Sequence, residues 1–390
     1  MSAIIAGYAR TPYARLGGAL ASRSAVELGA VAARAALEKA GVSASAVEHV
    51  IGGHVIQTGC GQNPARQTAV AAGVSNSVPA ITLNSVCLSG ADAVIYASQL
   101  IELGQASVVL VVGQESMSQS PHAQMGSRGG KKYGPITLID TLEIDGLTDA
   151  FSGESMGLAT ERVTAAAGIS RESQDALAVA SHLRANASRD WVAGEIAPVT
   201  INGRAGDVVV SEDEGIRADA SLEGLAKLRP AFAKDGTITA ANSSPLTDGA
   251  AALVLVSEEW AAANKVRGLG RVVGYAKVAG PDYSLNLQPS NAISAALARG
   301  GRTTADLKSV EINEAFAAVG VASTEALGIS PEIVNPDGGA IAIGHPIGSS
   351  GARIVGHLAR NLQKLGPGSV GAIGICGGGG QGVGIVVEAI

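Results

Sequence analysis

Cys87 has the setting in this sequence that most directly suggests chemistry. The apolar run that begins at Ala80 is typical of a strand and ends at Asn84, and a helical pattern of apolar residues follows Ser89. Cys87 therefore falls in the tight turn between a strand and a helix. A helix start presents free N–H groups and the positive end of the helix dipole, which favour a thiolate over a thiol. This setting predicts that Cys87 is a nucleophile. The alternative is that Cys87 is a small buried cysteine.

Three loops in the last third of the chain hold residues that could act together with Cys87. They contain, in chain order, Asn313, His345 and Cys376. His345 lies between a glycine and a proline in a loop of small residues, where an imidazole can approach a bound group closely. Cys376 precedes four glycines, whose N–H groups could stabilise an oxyanion. A phosphate cradle is the alternative for these glycines, but the Lys-Ser/Thr pair of a P-loop and the spacing of a dinucleotide fingerprint are both missing.

The elements that must position these residues follow an α/β pattern. Residues 1–117 alternate short apolar strands with Ala-rich helices, which indicates an α/β sheet. An amphipathic helix is predicted from Val26 to Ala40, where Gly41 ends it. A buried strand is predicted from Ala106 to Val112, where Gly113 closes it.

The middle of the chain differs in charge. Residues 118–246 contain 29 charged residues among 129, whereas the other 261 residues contain 33. A rise of this size indicates a solvated, loop-rich insertion. Within it, helices are predicted over 155–167 and 170–193, and Lys131 and Lys132 are interpreted as part of an exposed loop face.

A second α/β unit is predicted from residue 271 and repeats the first in outline. Ser89-Gly90-Ala91 precedes Ser350-Gly351-Ala352 by 261 residues, and two glycine-closed strands are related by the same offset. This indicates a duplicated α/β half, with chance matching among many Ala and Gly residues as the alternative. A duplicated fold would bring the strand-end loops of both halves close together.

Composition excludes several classes of protein. The net charge of −6 argues against a nucleic-acid-binding protein. No apolar run reaches the length of a membrane span. Three cysteines make a disulfide framework improbable and favour a reducing, cytoplasmic location. Cys60, between two glycines, is predicted to have a structural role or none.

Six motifs carry a resemblance to a known family. They are Gly61-Gln62-Asn63-Pro64-Ala65-Arg66-Gln67, Asn84-Ser85-Val86-Cys87-Leu88-Ser89-Gly90, Gly113-Gln114-Glu115-Ser116-Met117, Asn313-Glu314-Ala315-Phe316, Gly344-His345-Pro346 and Cys376-Gly377-Gly378. Over essentially its whole length the chain resembles the thiolases, the acyl-CoA C-acyltransferase family. The resemblance implies a thiolase fold, an α/β fold of two duplicated αβαβα halves with an inserted loop domain. The N-terminal half would comprise 1–117 and 247–270, the loop domain covering CoA 118–246, and the C-terminal half 271–390.

The resemblance also implies a role for five residues. Cys87 would attack an acyl-CoA thioester while His345 takes its proton, and the acyl group would stay on Cys87. Cys376 would remove a proton from the methyl group of acetyl-CoA, and the carbanion would attack the acyl group. One oxyanion hole would use the N–H groups of Cys87 and Gly378, and the other would use His345 and a water held by Asn313. No metal or redox cofactor is expected, since the CoA thioester is itself the substrate.

Further residues are assigned by the resemblance to binding of the CoA thioester. They are Arg217, Phe232, Ser244, Met156, Ala315 and Phe316. Arg217 would meet the CoA phosphates, with a surface ion pair as the alternative. Phe232 would pack near the adenine, with plain packing as the alternative. Ser244 would contact the pantetheine arm, and Met156 would lie near the acyl pocket.

Two positions depart from the family pattern. Ser155 stands where the biosynthetic branch often has a histidine before the methionine, and a serine cannot supply the same ring. Pro245 follows Ser244 in place of the more usual glycine, which stiffens that loop.

The leading functional hypothesis is an acetyl-CoA acetyltransferase that condenses two acetyl-CoA molecules and catalyses the reverse thiolysis. One alternative is a 3-ketoacyl-CoA thiolase of fatty-acid degradation that accepts a broader range of acyl-chain lengths. The other, from a different functional class, is a non-catalytic acyl-CoA-binding protein of the same fold. Expected partners are acyl-CoA, CoA and further copies of the chain, as a dimer or a homotetramer, with no nucleic acid and no membrane.

Overall fold

The computed structural model describes residues 2–204 and 206–390 and is organised around one large mixed sheet. Its strands, with two short hairpins, are β1 (Ala3–Arg10), β2 (Ala14–Arg15), β3 (His49–Gly53), β4 (Ala80–Leu83), β5 (Val108–Ser116), β6 (His122–Ala123), β7 (Ile139–Asp140), β8 (Val199–Ile201), β9 (Val208–Val210), β10 (Thr247–Ser257), β11 (Gly270–Ala279), β12 (Leu307–Ile312), β13 (Val370–Gly377) and β14 (Gln381–Ala389). The large sheet has the order β12-β13-β14-β11-β1-β10-β5-β3-β4, and β2 pairs with β10. The antiparallel contact between β1 and β11 joins its two halves.

Helices cover both outer faces of the sheet and fill the space between its halves. They are α1 (Ala25–Ala40), α2 (Pro64–Ala71), α3 (Ser89–Glu102), α4 (Met156–Ala166), α5 (Arg171–Ala187), α6 (Arg189–Ala193), α7 (Leu222–Ala226), α8 (Glu258–Asn264), α9 (Gln288–Arg299), α10 (Ala317–Leu327), α11 (Ala340–Ile343) and α12 (Ile347–Leu365). Among the described residues, no helix combines the length and apolarity needed to cross a membrane.

Three hydrophobic cores separate the layers. The central core packs α3 and α12 between the two halves of the sheet. The second core lies between α1 and the outer face of the N-terminal half, and the third lies under α9 in the C-terminal half. Along β10, Leu253 and Leu255 face the central core whereas Val254 and Val256 face the outer one, as the period of two of a strand requires. The layers follow the order α-β-α-β-α of the predicted thiolase fold.

Helices α3 and α12, which carry the repeated Ser-Gly-Ala segments, cross each other closely through two glycines. A Cβ on Gly90 would lie 2.6 Å from the amide nitrogen of Ala352, and a Cβ on Gly351 would lie 2.9 Å from the Cβ of Ala91. The reciprocal contact explains why both segments need glycine at the same position. It agrees with the predicted duplication of the fold.

Two sequence predictions differ from the structure in detail. Gly113 does not close β5, which continues to Ser116, because Gly113 pairs with Ala251 inside the sheet. A Cβ on Gly113 would lie 2.8 Å from the carbonyl oxygen of Gly348, so the glycine permits close approach rather than ending the strand. The helix predicted over 170–193 is broken at Ser188 into α5 and α6.

A buried ionic network joins the inserted segment to both halves. Arg10 donates two hydrogen bonds to Asp213, at 2.6 and 2.7 Å, and one to Glu195 at 2.8 Å. Glu195 also accepts a hydrogen bond from His357 Nδ1 at 2.9 Å. Burial disfavours the charged form of His357, but Glu195 and Glu311 outweigh burial and raise the pKa of His357 to about 9. The imidazolium therefore stabilises the buried carboxylates.

We expect His357 to remain protonated until about pH 9 in the folded chain. Its pKa is raised above the value of about 6.5 for an unfolded histidine, so its stabilising contribution is complete below pH 6.5. That contribution is lost as the pH rises through 9, which lowers the free energy of unfolding by roughly 1–3 kcal/mol. NMR titration of the His357 ring, assigned with a His357→Gln variant, measures the pKa. A midpoint near 6.5 would contradict the network.

Candidate active site

The turn between β4 and α3 holds Cys87 in a strained but well-bonded conformation. Val86 adopts a left-handed backbone with φ of 54°, which is unfavourable for a β-branched residue. Its N–H donates to Asn84 Oδ1 at 3.0 Å, and Ser89 Oγ accepts from the N–H of Ser85 at 2.9 Å. Helix α3 begins at Ser89, so Cys87 lies two residues before the helix, as the sequence predicts.

Cys87 rests as a thiol, contrary to the sequence-based expectation of a thiolate. Burial raises the pKa of Cys87 to about 12, and the N–H groups of Cys87 and Gly378 act in the opposite direction. The apolar side chains around it include Val55, Ile56 and Ile347. A half-buried thiol with a raised pKa becomes a nucleophile only when a neighbouring base takes its proton.

Cys376 lies inside β13, next to the tight hairpin formed by the glycine run. It pairs with Gly382 of β14, and its exposed fraction is 1%. Burial raises the pKa of Cys376, and a charge on Cys87 raises it further. A Cβ on Gly377 would lie 2.6 Å from Leu88 Cγ, so the hairpin touches the Cys87 turn. The structure therefore brings the two cysteines into one site.

His345 enters the site between α11 and α12. Gly344 has φ of 112°, a conformation that glycine tolerates and other residues avoid, and a Cβ there would lie 3.0 Å from the Cβ of Thr247. The N–H of His345 donates to Thr247 Oγ1 at 3.1 Å. These contacts hold the backbone of His345, whose exposed fraction is 6%.

Hydrogen bonds define which ring nitrogen of His345 is free. Nδ1 lies 2.6 Å from Ser350 Oγ, and Ser350 Oγ donates to the carbonyl of Pro346 at 3.1 Å. Since the hydroxyl proton is used on Pro346, we assign the imidazole proton to Nδ1 and leave Nε2 as an acceptor. Burial, and then the charge of Arg353, lower the pKa of His345 to about 3. A neutral imidazole with an unprotonated Nε2 can act as a base.

Asn313 lies beside that unprotonated nitrogen. It directly follows β12, its N–H donates to the carbonyl of Gly374 at 2.9 Å, and it is fully buried. Asn313 Nδ2 donates to His345 Nε2 at 3.4 Å, while Oδ1 has no hydrogen-bond partner in residues 2–204 and 206–390. The amide thus presents an unused polar atom next to the imidazole.

Comparison with known proteins agrees with this constellation. Residues 3–259 match the family described as Thiolase, N-terminal domain, and residues 266–389 match Thiolase, C-terminal domain. The chain belongs to the thiolase family. It is 50% identical over 391 residues to a probable acetyl-CoA acetyltransferase of Mycobacterium tuberculosis, covering 100% of this chain and 99% of that protein.

Two further relatives of this thiolase carry the name acetyl-CoA acetyltransferase. The protein of Chromobacterium violaceum is 46% identical over 393 residues, with 100% of both chains covered. The protein of Cupriavidus necator is 44% identical over 390 residues, and the match covers 99% of this chain and 98% of the Cupriavidus necator protein.

Several of the residues assigned to the thioester surround Cys376. Met156, Ala315 and Phe316 pack in one apolar cluster with it. Ser244 joins this cluster through its N–H and Oγ, which donate to the carbonyl of Ala315 at 3.1 and 3.0 Å. They form a compact apolar wall, which suits a short acyl chain.

The ring of Phe232 packs against the same wall. Its ring packs edge-on against Phe316, with centroids 5.9 Å apart and an interplanar angle of 86°. Gly157 of α4 lies directly against the Phe232 ring. Ser155, in place of a histidine, accepts the N–H of Leu158 at 3.3 Å and caps α4.

Arg217 lines a separate cleft of about 490 Å³ in the inserted segment. Arg15, His182, Ser243 and Pro245 line the same cleft. Leu246, the residue after Pro245, packs in the apolar cluster that contains Cys87. The cleft that contains Arg217 and the apolar cluster around Cys87 therefore lie on neighbouring residues of the polypeptide.

Sequence reasoning missed residues that hold this thiolase site together. Glu115 is fully buried and accepts the N–H groups of Val55, Ile56 and Gly348 at 3.1, 3.2 and 3.0 Å. The motif from Gly113 to Met117 marked its position but not this role. Ser350 lies five residues after His345, a spacing that the helical rule of contacts three and four residues apart does not predict.

We expect Ser350→Ala to slow alkylation of Cys87 by iodoacetamide about tenfold, because a displaced or misprotonated His345 is a poorer base. Ser349→Ala is the matched control, since Ser349 Oγ bonds Tyr13 Oη at 2.7 Å instead of the imidazole. The control loses about 1 kcal/mol of stability without a change in alkylation. Alkylation rates are measured by peptide mass spectrometry. Equal rates in the two variants would show that Ser350 does not position His345 as the base for Cys87.

Proposed function

We propose that the chain is an acetyl-CoA acetyltransferase. It would condense two acetyl-CoA molecules into acetoacetyl-CoA and CoA through an acyl-Cys87 intermediate, and catalyse thiolysis in reverse. The observation that carries the proposal is the contact between the hairpin of Cys376 and the turn of Cys87, which brings a buried and a half-buried thiol together beside the neutral imidazole of His345. One thiol suits acyl transfer and the other suits carbon acid chemistry.

In the first half-reaction, His345 Nε2 accepts the proton of Cys87 as the sulfur attacks the thioester carbonyl. The lowered pKa of His345 keeps the ring neutral, so Nε2 is available at neutral pH. The tetrahedral intermediate collapses, the C–S bond to CoA breaks and the acyl group stays on Cys87. The proton of Cys376 passes to the CoA thiolate, which leaves as CoA thiol.

In the second half-reaction, the Cys376 thiolate removes a proton from the methyl group of acetyl-CoA. Burial raises the pKa of its thiol, which makes the thiolate a strong base for a weakly acidic C–H bond. The carbanion attacks the acyl-Cys87 carbonyl, and the thioester bond to Cys87 breaks. The Cys87 thiolate recovers its proton from His345, so the enzyme returns to its starting state.

Each half-reaction develops negative charge on a thioester oxygen. For the acyl group on Cys87, the donors would be the N–H groups of Cys87 and Gly378, which already favour charge on the Cys87 sulfur. For the acetyl-CoA enolate, the donors would be His345 and a water held by Asn313. The unpartnered Asn313 Oδ1 supports this second hole.

Two substitutions separate the half-reactions. Cys87→Ala should lower acyl-enzyme formation from radiolabelled acetyl-CoA about 10⁴-fold or more, because the remaining thiol of the site, Cys376, is assigned to proton transfer and not to attack on the thioester. Cys376→Ser should retain acylation, because CoA can leave as its thiolate, but slow condensation about 10²–10⁴-fold, because an alcohol cannot replace the thiolate as base for the C–H bond. Cys60→Ser, outside the site, should retain both. Labelling of Cys87→Ala, or equal loss of both steps in Cys376→Ser, would refute these roles.

A short acyl chain is favoured by the wall of Met156, Phe232 and Phe316 near Cys376. A broader 3-ketoacyl-CoA thiolase of fatty-acid degradation is the second candidate, because Ser155 leaves less bulk than a histidine. The ratio of kcat/KM for thiolysis of acetoacetyl-CoA and 3-ketooctanoyl-CoA distinguishes them. We expect at least a tenfold preference for acetoacetyl-CoA, and the opposite preference would favour the broader enzyme.

The remaining parts of the proposal concern partners. CoA and acyl-CoA would enter along the cleft that contains Arg217, which could pair with CoA phosphates. Assembly into a dimer or homotetramer, a cytoplasmic location and independence of metal and redox cofactors stay predictions. A non-catalytic acyl-CoA-binding protein would show no loss of 3-ketoacyl-CoA absorbance on addition of CoA.

A further inference from the structure

Two serines hold the turn that carries Cys87. Ser89 Oγ donates to the carbonyl of Val86 at 2.6 Å and accepts the N–H of Ser85 at 2.9 Å. The N–H of Leu88 also donates to the carbonyl of Ser85, at 3.2 Å. Val86 has a left-handed backbone with φ of 54°, which a β-branched residue avoids unless its surroundings impose it. The bonds of the two serines are therefore needed to keep the turn in this shape.

The hydroxyl of Ser85 connects this turn to a buried carboxylate. It donates to Asp92 Oδ2 at 2.6 Å, and Asp92, in the first turn of α3, has an exposed fraction of 2%. A hydrogen bond from a hydroxyl to a carboxylate is shorter and stronger than one between neutral groups. The low dielectric of the interior strengthens it further. The bond thus ties the strand side of the turn to the helix that follows it.

Lys277 reaches the same carboxylate from the other half of the sheet. It lies on β11, and its Nζ donates to Asp92 Oδ2 at 2.8 Å. Strand β11 pairs with β14, which pairs with β13, the strand of Cys376. One carboxylate oxygen therefore accepts a bond from the turn of Cys87 and another from the half of the sheet that contains Cys376.

We propose that Asp92 is a positioning residue for Cys87, acting through Ser85 and anchored by Lys277. Its side chain holds the turn so that the Cys87 sulfur and the Cys87 N–H both face the site. Asp92 reaches the turn only through the Ser85 hydroxyl, and we assign it no part in proton transfer. The effect on catalysis rests on the proposed acyltransferase function, whereas the placement of the thiol does not.

Displacement of this turn should impair catalysis more than binding. The turn carries both the sulfur that would attack the thioester and the N–H of Cys87 that would stabilise the oxyanion. A shift of about 1 Å in a reacting group can slow a reaction about 10²-fold. The cleft that contains Arg217 lies on other segments of the chain, so the site proposed for CoA should stay intact. Loss of the tie should therefore lower the rate of acylation rather than the affinity for acetyl-CoA.

The test measures acylation of Cys87 by radiolabelled acetyl-CoA in a single turnover, as a function of acetyl-CoA concentration. Ser85→Ala should lower the maximal rate about 10–10²-fold and change the half-saturating concentration less than about twofold. Ser85→Thr, which keeps a hydroxyl, should recover most of the loss. Ser98→Ala is the matched control and should leave the rate unchanged, because Ser98 is buried in the same helix but its Oγ donates to the carbonyl of Val94, at 2.9 Å.

Asp92 and Lys277 are tested in the same assay. Asp92→Ala should slow acylation by a factor similar to that of Ser85→Ala, and the double variant should be no slower than the slower single variant, because both changes remove one bond. Lys277→Met should slow acylation about threefold, as expected for a partly exposed ion pair. Additive losses in the double variant, or a change confined to the half-saturating concentration, would overturn the proposal. An unchanged rate in Lys277→Met would overturn the anchor.

Cross-linking of Cys87 to Cys376 by dibromoacetone measures the position of the thiol without relying on activity. In Ser85→Ala, the fraction of Cys87-alkylated chains that carry the bridge should fall at least about threefold, because the second thiol is no longer oriented for closure. The Ser98→Ala control should match the wild type.

A bridged fraction in Ser85→Ala equal to that of the wild type would overturn the positioning role, whatever the activity. Absence of an acyl-enzyme in the wild type would instead refute the proposed function. The bridged fraction would then decide by itself whether Ser85 and Asp92 place the thiol.

Discussion

The close crossing of α3 and α12 is the contact on which the site depends. Cys87 lies two residues before α3 and His345 two residues before α12, so the crossing fixes the thiol relative to the imidazole. The glycines at the crossing, Gly90 and Gly351, leave no room for a Cβ. A side chain there would separate the helices at a cost of roughly 1–3 kcal/mol and would displace the catalytic loops.

Burial then determines the chemistry of the groups that the crossing brings together. It keeps the Cys87 and Cys376 thiols protonated and the His345 imidazole neutral, so the resting site contains no charge on these three residues. Charge appears only when a proton moves during reaction. Preorganised N–H groups, including that of Gly378, can then stabilise it without reorganising solvent.

The sequence predicted the loops better than their electrostatics. Strand and helix patterns placed Cys87 in its turn, and the repeat at one fixed offset predicted that the loops of both halves meet. The protonation states could not be predicted, because the burial of Cys87 comes from segments as distant as Val55, Leu142 and Ile347. The tautomer of His345 also depends on a side-chain rotamer that no pattern of residue types encodes.

Cross-linking with dibromoacetone, a short reagent that bridges two thiols, tests the central claim that Cys87 and Cys376 face one cavity. Peptide mapping of the folded chain should find Cys87 joined to Cys376, and the cross-link should vanish in Cys376→Ser and after unfolding in urea. Alkylation of Cys87 alone in the wild type, or a bridge from Cys87 to Cys60, would contradict the account.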